Sequence, residues 1–401
     1  MLLNKNDKLR PSPKKRGSNQ SSIRGYNEKL ILQIIREQGQ LSKAEATAAT
    51  GLSANAISVI FRELEKENIL LRGEPIRGKI GQPSTPLRIN PKFKYYLTLR
   101  IARRVIELAI VDFSGEIITT QKSIQAFPTP EIVISFVNTN IKNLLNAAEL
   151  SFSEIDCMGV AMPFELWHWT DEFSAPPKAM DQWRTFDLKR ALGEEIKLPI
   201  IIENDATAAC RAELLLGNHY DKEDWIYFYV DTFIGGGVVL NGSVFPGRRG
   251  NAGGFGPMRV PSQTDGNRLV DHASLVILEK QLSVIDKDPL TLYAHGGVWE
   301  QFESELSNWI SRAGYNLSHA IVSSLAIMDF EAVVIDGMMP PKVRSALVNE
   351  VIRCLKNTDL QGVIMPAVLP GKLGSNAQSI GAAATIISRQ YLVDYNSLGS
   401  M

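Results

Sequence analysis

Hydrophobic positions in residues 27–64 recur three and four residues apart, which predicts three short helices. The first helix is expected over residues 27–38. Ser42 and Glu45 have the spacing of a capping box, so a second helix is expected to begin at Ser42. Ser53 can cap the third helix. The apolar face of this third helix consists of Ile57, Ile60, Phe61 and Leu64.

The second and third predicted helices are joined by a tight turn at Gly51, which is the arrangement of a helix-turn-helix. In such motifs the second helix of the pair enters the major groove of DNA. Its polar face carries Asn55, Ser58 and Arg62, and Asn can read adenine while Arg can read guanine. We therefore predict that these three residues, with the capping Ser53, face duplex DNA.

A basic, glycine-rich segment over residues 77–83 follows the helix-turn-helix. It lies between two short apolar stretches, 69–72 and 87–89, that are predicted to be strands. A hairpin in this position is typical of a wing, and Arg77 and Lys79 are expected to reach phosphates or a narrow minor groove. The alternative is a plain loop, which the position directly after a recognition helix disfavours.

Charge is distributed unevenly along the chain, although the formal net charge is zero. Residues 1–90 contain 16 Lys and Arg against 8 Asp and Glu, whereas the remainder contains 27 against 35. A basic N-terminal module on an acidic body favours a nucleic-acid reader joined to a second function. Residues 1–26, with seven basic residues and one acid, are expected to be a disordered arm, either a solvated tail or an additional phosphate contact.

Short apolar strands alternate with helical segments from residue 95 onward, which predicts an α/β architecture. The chain has 401 residues, too many for one ordinary core, so two or three domains are expected. The predicted strands are 96–101 and 105–112, which form a hairpin, and 156–161, 200–203, 226–230 and 332–335. The predicted helices are 131–150, 206–216, 300–325 and 376–391.

Three cysteines, Cys157, Cys210 and Cys354, are too few and too far apart for a disulfide framework or a CxxC metal site. A reducing cytoplasm is therefore the expected location. No apolar run approaches the roughly 20 residues of a membrane helix. The first residues lack the apolar core of a signal peptide, so we expect no association with a membrane.

Several short motifs, taken in their order and spacing, resemble the ROK family (repressors, open reading frames and sugar kinases) in its transcriptional-regulator branch. The resemblance covers residues 27–391. The motifs are the helix-turn-helix with its Gly81-Gln82-Pro83 wing, Val111-Asp112-Phe113-Ser114-Gly115, Glu203-Asn204-Asp205-Ala206, Ile234-Gly235-Gly236-Gly237, Gly250-Asn251-Ala252-Gly253 and Ser379-Ile380-Gly381-Ala382-Ala383. Gly81 and Gln82 thereby join the predicted DNA contacts.

The resemblance implies an α/β fold in which a winged helix-turn-helix at 27–90 precedes a two-lobed, actin-like/ribonuclease-H-like body. The first lobe is expected at 92–205, completed by 376–391, and the second at 206–375. The resemblance also implies a sugar cleft between the lobes and a homodimer or homotetramer.

The chain departs from the family's kinases where those enzymes bind nucleotide. Their first body strand carries an Asp followed by Gly that serve the Mg-ATP phosphates, and the matching positions here are Arg100 and Ala102. A cation cannot replace a carboxylate beside Mg²⁺. The Gly-Thr of a phosphate turn reads Asp231-Thr232, and a nucleotide-side Gly pair reads Asp336-Gly337-Met338. Glycines 235–237 remain, as residues of a tight turn between strands. ATP binding and kinase activity are therefore not expected.

The chain also departs from the family on the sugar side of the cleft. Gly254 stands in place of the family's Glu that holds sugar hydroxyls, and Pro257 in place of its His that holds sugar and zinc. Residues 262–268, in place of a cysteine-rich zinc loop, contain no cysteine, so neither zinc nor another metal is predicted. His272 is nearby in sequence and is expected to be a packed or surface residue.

Four residues remain as candidates for contact with an effector. Asp205 matches the Asp that takes the sugar hydroxyl proton in family kinases, and in a regulator it can only hydrogen-bond a polyol. Either Asn204 or Asp205 can instead cap the helix that follows, and one can cap while the other faces the cleft. Trp167 belongs to the Trp167-His168-Trp169 run at the expected cleft mouth, where an aromatic ring stacks on a sugar or packs in the core. Asn251, in the glycine-rich loop, is the fourth candidate.

These expectations predict a DNA-binding regulator, a repressor of sugar uptake or catabolism genes, with no catalytic residues and no cofactor. A sugar-derived effector is expected to close the lobes and lower operator affinity. A pentose, ketose, polyol or phosphorylated sugar fits the altered pocket. Two alternatives are a ROK sugar kinase with an appended DNA module, against which Arg100, Gly254 and Pro257 argue, and a ligand-free dimerisation scaffold, which the same losses leave open.

Overall fold

The structure, a computed structural model, describes residues 20–75, 85–168, 170, 175–219, 221–261, 266–294 and 298–398. Within these ranges the chain forms an N-terminal module of three helices and two five-stranded sheets with flanking helices. No helix in these ranges is both long enough and apolar enough to cross a membrane.

The N-terminal module contains the helices and strands that the hydrophobic pattern predicts. They are α1 (Gln20–Gln38), α2 (Lys43–Thr50), α3 (Ala54–Lys66), β1 (Leu70–Arg72) and β2 (Leu87–Ile89). The Ser42 hydroxyl accepts the N–H of Glu45 while the Glu45 carboxylate accepts the N–H of Ser42, so the capping box is formed. Ser53 caps α3 by accepting the N–H of Ala56 at 3.2 Å. The two strands pair antiparallel, and residues 76–84 between them lie outside the described residues.

The first helix begins earlier than the sequence pattern predicts. It starts at Gln20, so residues 20–26, which we expected in the disordered arm, are helical. A single glycine costs a helix only about 1 kcal/mol, and Gly25 therefore does not end it. Residues 1–19 of the expected arm lie outside the described residues.

The two sheets have the same strand order, with a central strand, a hairpin on one side and two parallel strands on the other. We name the first sheet and its helices lobe 1, and the second sheet and its helices lobe 2. Lobe 1 has the order β5-β4-β3-β6-β7, with β3 (Tyr95–Ile101), β4 (Val105–Asp112), β5 (Ile117–Ile124), β6 (Ile155–Met162) and β7 (Ile200–Asn204). Lobe 2 has the order β10-β9-β8-β11-β12, with β8 (Trp225–Val230), β9 (Ile234–Leu240), β10 (Ser243–Val244), β11 (Ala332–Gly337) and β12 (Ala367–Pro370). This repeated order is the two-lobed, actin-like arrangement that the resemblance implies.

Helices cover both sheets. They are α4 (Pro130–Ala147), α5 (Pro177–Met180), α6 (Leu188–Glu195), α7 (Asp205–Leu216), α8 (Val270–Ala273), α9 (Leu275–Val284), α10 (Glu303–Leu325), α11 (Pro341–Lys356), α12 (Ala377–Tyr391) and α13 (Tyr395–Leu398). The sequence pattern predicts four of them, α4, α7, α10 and α12, but misses the 16-residue α11. One apolar cluster extends through both lobes, and a second is shared by the N-terminal module, lobe 1 and α12.

Glycines 235–237 lie within strand β9, so the prediction of a tight turn there is wrong. Their small size is needed for a different reason, namely close packing against both faces of the strand. A Cβ on Gly236 would lie 2.0 Å from the Tyr227 carbonyl oxygen, and one on Gly237 would lie 2.5 Å from Cys210 Cβ. The glycines therefore allow α7 and the neighbouring strand to approach β9.

The backbone of helix α12 packs directly against the backbones of helix α7 and strand β6. A Cβ on Gly381 of α12 would lie 2.1 Å from the carbonyl oxygen of Ala208 in α7. A Cβ on Gly159 of β6 would lie 2.4 Å from the carbonyl oxygen of Ala382. Only glycine fits at these two contacts, because the opposing atoms belong to the backbone.

Replacing Gly381 with alanine should therefore destabilise the protein. The new methyl group must push α7 and α12 apart, and overpacking of this kind costs about 1–3 kcal/mol of unfolding free energy. Gly193→Ala in α6 is the matched control, because no atom lies within 4 Å of the added Cβ. We expect that control to be neutral or more stable by up to about 1 kcal/mol. Equal urea midpoints for the two variants would contradict the packing argument.

Candidate functional site

A cavity of about 270 Å³ lies between the two lobes. Its lobe 1 wall comes from the β3–β4 turn, the loop after β6 and the start of α7. Its lobe 2 wall comes from the β8–β9 turn and the glycine-rich loop near residue 254. The residues that line it and enter the arguments below are Arg103, Glu165, His168, Asn204, Asp205, Asp231, Phe233, Asn251, Gly254, Pro257 and Gln378.

Asp205 is the first residue of α7 and lines this cavity. Its Oδ2 accepts a hydrogen bond from Gln378 Nε2 at 3.1 Å, and its Oδ1 accepts the N–H of Ala206 at 2.8 Å. Burial raises the pKa of the Asp205 carboxyl to about 6, an effect that the charge of Asp231 increases and that of Arg103 opposes. The site therefore contains an acid whose titration falls near neutral pH.

Asn204 occupies the cap position of α7, which settles the capping alternative left open by the sequence. Its Oδ1 accepts the N–H of Thr207 at 3.0 Å and the Thr207 hydroxyl at 3.2 Å. Asp205 is thus not needed as the cap, although both residues line the cavity.

The remaining two candidates differ in position. Asn251 is exposed and lines the cavity beside Gly254. Trp167 does not line it, because its ring packs against the large apolar cluster and lies edge-on to His168. Of the two alternatives left open for Trp167, this structure shows the packing one, and stacking on a ligand stays a prediction. Trp169, from the same run, lies outside the described residues.

Several cavity residues carry no signal in the sequence. Gln378 in α12 is buried and holds Asp205, but it is 173 positions away from it along the chain. The guanidinium of Arg103 lies over the ring of Phe233, 4.4 Å from its centroid, and so joins the two lobes at the cavity. His168 Nδ1 lies 2.7 Å from Glu165 Oε2, and both side chains line the cavity.

Arg100 lies at the inner end of the same crevice and is fully buried. Its Nη2 forms an ion pair with Asp231 Oδ2 at 2.9 Å, across the boundary between β3 of lobe 1 and β8 of lobe 2. Its Nη1 donates to the Ser375 carbonyl oxygen at 3.3 Å. A second buried ion pair joins Arg344 to Asp336, which also accepts the N–H of Gly374. One of these two buried ion pairs joins the lobes, and the other lies within lobe 2.

Helix α3 exposes the residues that the sequence assigns to DNA. Asn55, Arg62 and the capping Ser53 are exposed, and Ser58 is half-buried beside them. Arg62 forms only a long contact of 3.8 Å with Glu63, and its side chain is 70% exposed, so its guanidinium is available to a ligand. The predicted wing residues, Arg77, Lys79, Gly81 and Gln82, lie outside the described residues.

Comparison with known families decides the assignment. Residues 96–275 match the model described as ROK family, and residues 25–70 match one described as winged helix-turn-helix DNA-binding. The chain therefore contains a ROK family domain and an N-terminal winged helix-turn-helix. Both halves of the resemblance noted in the sequence, the helix-turn-helix and the ROK body, are thus confirmed.

Relatives of known name or structure match this chain over most of its length. The xylose repressor of Bacillus spizizenii is 24% identical over 387 residues, which cover 92% of this chain and 97% of the repressor. A crystal structure described as a ROK family transcriptional regulator, homolog of E. coli MLC protein, has a TM-score of 0.65 at 20% identity and covers 92% of this chain and 97% of its own. A ROK family glucokinase from Streptomyces griseus, in complex with glucose and AMPPNP, has a TM-score of 0.59 at 19% identity and covers 73% of this chain.

The positions at which this ROK protein departs from the family's kinases now have a structural explanation. Arg100, in place of the kinase Asp, reaches Asp231 of the phosphate turn, so the two substitutions compensate each other's charge. Gly254 leaves room for the Asn251 amide, because a Cβ on Gly254 would lie 2.9 Å from Asn251 Nδ2.

The segment in place of the family's zinc loop is held by hydrogen bonds where the structure describes it. His272 is buried, accepts a hydrogen bond from Arg312 Nε on its Nδ1 at 2.9 Å and donates from Nε2 to the Gly266 carbonyl oxygen at 3.2 Å. Both ring nitrogens are thus engaged by protein groups. Among the described residues, no group of three or more His, Cys, Asp and Glu side chains is placed to hold a metal ion.

Proposed function

We propose that this protein is a sugar-responsive, DNA-binding transcriptional repressor. The observation that carries the proposal is the exposed face of α3, with Asn55, Ser58 and Arg62, on a winged helix-turn-helix attached to a ROK body. Operators read by this motif have two half-sites, so we expect the repressor to bind as a homodimer or as a pair within a homotetramer. Its target is the chromosome, which would place its action in the cytoplasm.

The proposed effector site is the cavity between the lobes. A carboxylate accepts hydrogen bonds from two hydroxyl groups, and Asp205 is held in place for this by Gln378. A cavity of about 270 Å³ lies at the small end of ligand sites, which suits a single sugar ring. Because relatives of this chain are named xylose repressors, we propose D-xylose as the first effector to test.

The proposed mechanism is a shift between two arrangements of the lobes. The cavity has walls from both lobes, so a ligand that contacts both walls favours the closed arrangement over the open one. Coupling of this kind is typically worth 5- to 150-fold in affinity, which is about 1–3 kcal/mol. We expect the effector to lower operator affinity by a factor in that range.

We also propose that the body does not transfer phosphate from ATP. Mg²⁺ requires oxygen ligands, and the position of the kinase Asp holds the guanidinium of Arg100 instead. The ion pair with Asp231 holds that guanidinium in place and engages the nearby carboxylate, so Asp231 is not free to act as a metal ligand instead. A sugar kinase with a DNA module is thus the weaker alternative, and sugar-dependent ADP release that is lost in Asp205→Asn would support it.

Operator binding and effector response test the proposal directly. Duplexes that bind the full-length protein are selected from a randomised library, and their affinity is measured by fluorescence anisotropy. D-xylose, other pentoses, hexoses and sugar phosphates are then titrated. We expect nanomolar-range specific binding, which is usual for such proteins, and release by one of these sugars. Failure to enrich any sequence would contradict the assignment of α3.

Replacing Arg62 with alanine should weaken operator binding and relax specificity at one base pair. A good bidentate base contact contributes about 1–3 kcal/mol, so we expect a loss of about 5- to 150-fold in affinity. Arg353→Ala in lobe 2 is the matched control, because Arg353 is also exposed and paired with a neighbouring Glu. The control should bind as the unmodified chain does. Equal binding by Arg62→Ala would show that α3 does not read the bases through this residue.

A further inference from the structure

The DNA-binding module is not an independently packed unit, because it shares an apolar cluster with lobe 1. Ile31 and Ile35 of α1 belong to the same cluster as Phe113 of lobe 1 and Ile386 and Ile387 of α12. All five side chains are fully buried. The position of the module therefore depends on how α1 packs against lobe 1 and α12, since these elements share one core.

Polar and aromatic contacts fix α1 against lobe 1 as well. Arg36 Nη2 donates to the Phe113 carbonyl oxygen at 2.6 Å, and its guanidinium lies over the Phe113 ring at 4.6 Å. The rings of Phe93, Phe113 and Tyr391 pack edge-to-face in a group of three, with centroids 5.0–5.9 Å apart. These contacts join α1 to the end of α12, from which the C-terminal residues continue.

The chain crosses from lobe 1 to lobe 2 directly after α12. The backbone N–H of Tyr395 donates to Ser243 Oγ at 3.0 Å, and Asn396 Nδ2 donates to the Ser243 carbonyl oxygen at 2.9 Å. Ser243 belongs to β10, the edge strand of the lobe 2 sheet. We name residues 392–396 the C-terminal strap.

The strap also lies beside α1. Lys29 Nζ donates to the Arg389 carbonyl oxygen at 3.2 Å, just before the strap begins. Burial raises the pKa of Tyr395, and the nearby groups of Tyr26 and Glu37 in α1 and Glu223 in lobe 2 raise it further. One strap residue is therefore within electrostatic reach of both the DNA-binding module and lobe 2.

A cavity of about 730 Å³ separates α1 from lobe 2 beside the strap. Arg36 and Glu37 line it on the α1 side, and Lys222 and Glu223 line it on the lobe 2 side, with Tyr395 between them. The space allows lobe 2 to move relative to α1 without a steric clash, while the strap remains attached to both.

We propose that the C-terminal strap transmits movement of lobe 2 to the DNA-binding module. The proposal takes its effector from the proposed function, but the mechanical link itself does not depend on that function. When the lobes close, β10 moves relative to lobe 1 and carries with it the strap end that is bound to Ser243. The other end, joined to α12, then shifts the position of α1 and changes the spacing of the two recognition helices in a dimer.

The mechanical link is tested by hydrogen–deuterium exchange of the full-length protein without ligand. The variant is Ser243→Ala/Asn396→Ala, which removes both side-chain contributions to the strap contact. We expect the amides of residues 33–38 in α1 to exchange about three- to tenfold faster, as expected for the loss of hydrogen bonds that restrain a local opening. Unchanged α1 exchange, with faster exchange confined to β10, would overturn the proposal.

Asn357→Ala is the matched control for that experiment. Asn357, like Asn396, donates its side-chain amide to a backbone carbonyl oxygen, that of Arg353 at 2.8 Å, but it follows α11 in lobe 2. The control should leave α1 exchange unchanged. An equal acceleration in both variants would show general loosening of the fold and would also overturn the proposal.

The functional consequence is measured as the ratio of operator Kd with and without D-xylose. In the strap variant we expect D-xylose affinity and ligand-free operator affinity to remain within about twofold, while the ratio falls toward one. A ratio equal to that of the unmodified chain would overturn the proposal. If the unmodified chain does not respond to D-xylose, the proposed effector is wrong, and the exchange result alone decides the role of the strap.

Discussion

Replacement of Arg100 by methionine is expected to lower the free energy of unfolding by about 3–5 kcal/mol. Removal of one partner of a buried ion pair leaves the other charge uncompensated, and that is the usual cost. The side chains of Arg100 and Asp231 are only 1% and 10% exposed, so solvent cannot compensate for the loss. The change also removes a contact between the lobes, and urea denaturation of the full-length chain measures the sum.

The double variant Arg100→Met/Asp231→Asn should recover most of that loss, because it leaves no unpaired charge. The exposed pair of Arg190 and Glu194, with side chains 79% and 66% exposed, provides the control. Arg190→Met should cost less than about 1 kcal/mol. If Arg100→Met were no more destabilising than Arg190→Met, the buried ion pair would not be an important contact between the lobes.

Replacement of Asp205 by asparagine is expected to weaken effector binding by about 10- to 100-fold. Hydrogen bonds to a charged group are worth about 1.5–3 kcal/mol, and each 1.4 kcal/mol corresponds to a factor of about ten. Operator affinity without effector should persist, because Asp205 lies far from α3 along the fold and makes no contact with the DNA-binding module. The expected phenotype is a repressor that no longer responds to its inducer, measured by titration of operator release.

The pH dependence of the same site gives an independent check. Because burial raises the pKa of Asp205 to about 6, the folded chain holds this proton more tightly than the unfolded chain does. Its contribution to stability is lost as pH rises from about 4 through about 6. Asp205→Asn has no carboxyl group to ionise at this position, so it does not lose this stability. Its Tm above that pH range should therefore equal or exceed that of the unmodified chain. Effector affinity should rise with pH through the same range in the unmodified chain alone, since the ionised carboxylate is the better acceptor.

A capping role for Asp205 makes the opposite forecast for stability. Asp187 caps α6 by accepting the N–H of Arg190 at 3.0 Å, so Asp187→Ala should lose about 1 kcal/mol of stability and leave effector release unchanged. If Asp205→Ala behaved like Asp187→Ala, with a lower Tm and an unchanged release midpoint, the effector-contact proposal would be wrong.

Local signals in the sequence were sufficient to predict those features that depend on the residues of a single helix or hairpin. The capping box at Ser42, the cap at Ser53 and the apolar face of α3 place the helix-turn-helix correctly, because caps and amphipathic faces act within one or two turns. The order of short motifs along the body was also sufficient to predict the two-lobed fold. Contacts inside one helix or one hairpin are encoded by neighbouring residues, and a single sequence reveals them.

Contacts between elements that are distant along the chain could be identified only from the tertiary structure. The sequence placed glycines 235–237 in a turn, whereas packing of α7 and the adjacent strand places them inside β9. The sequence left Trp167 as either a ligand contact or a core residue, and in the structure its ring packs against the large apolar cluster. Gln378 carried no signal at all, because a helix presents many polar residues and only the fold decides which one meets Asp205.

The sequence by itself therefore determined the class of this protein, a winged helix-turn-helix joined to a ROK body, and the loss of the kinase residues. Only the tertiary structure decided that Arg100 pairs with Asp231, that α1 shares a core with lobe 1 and that residues 392–396 link the lobes. The physical reason is the same in each case. These interactions join residues more than 70 positions apart, and their free energy depends on burial and distance, which no local pattern specifies.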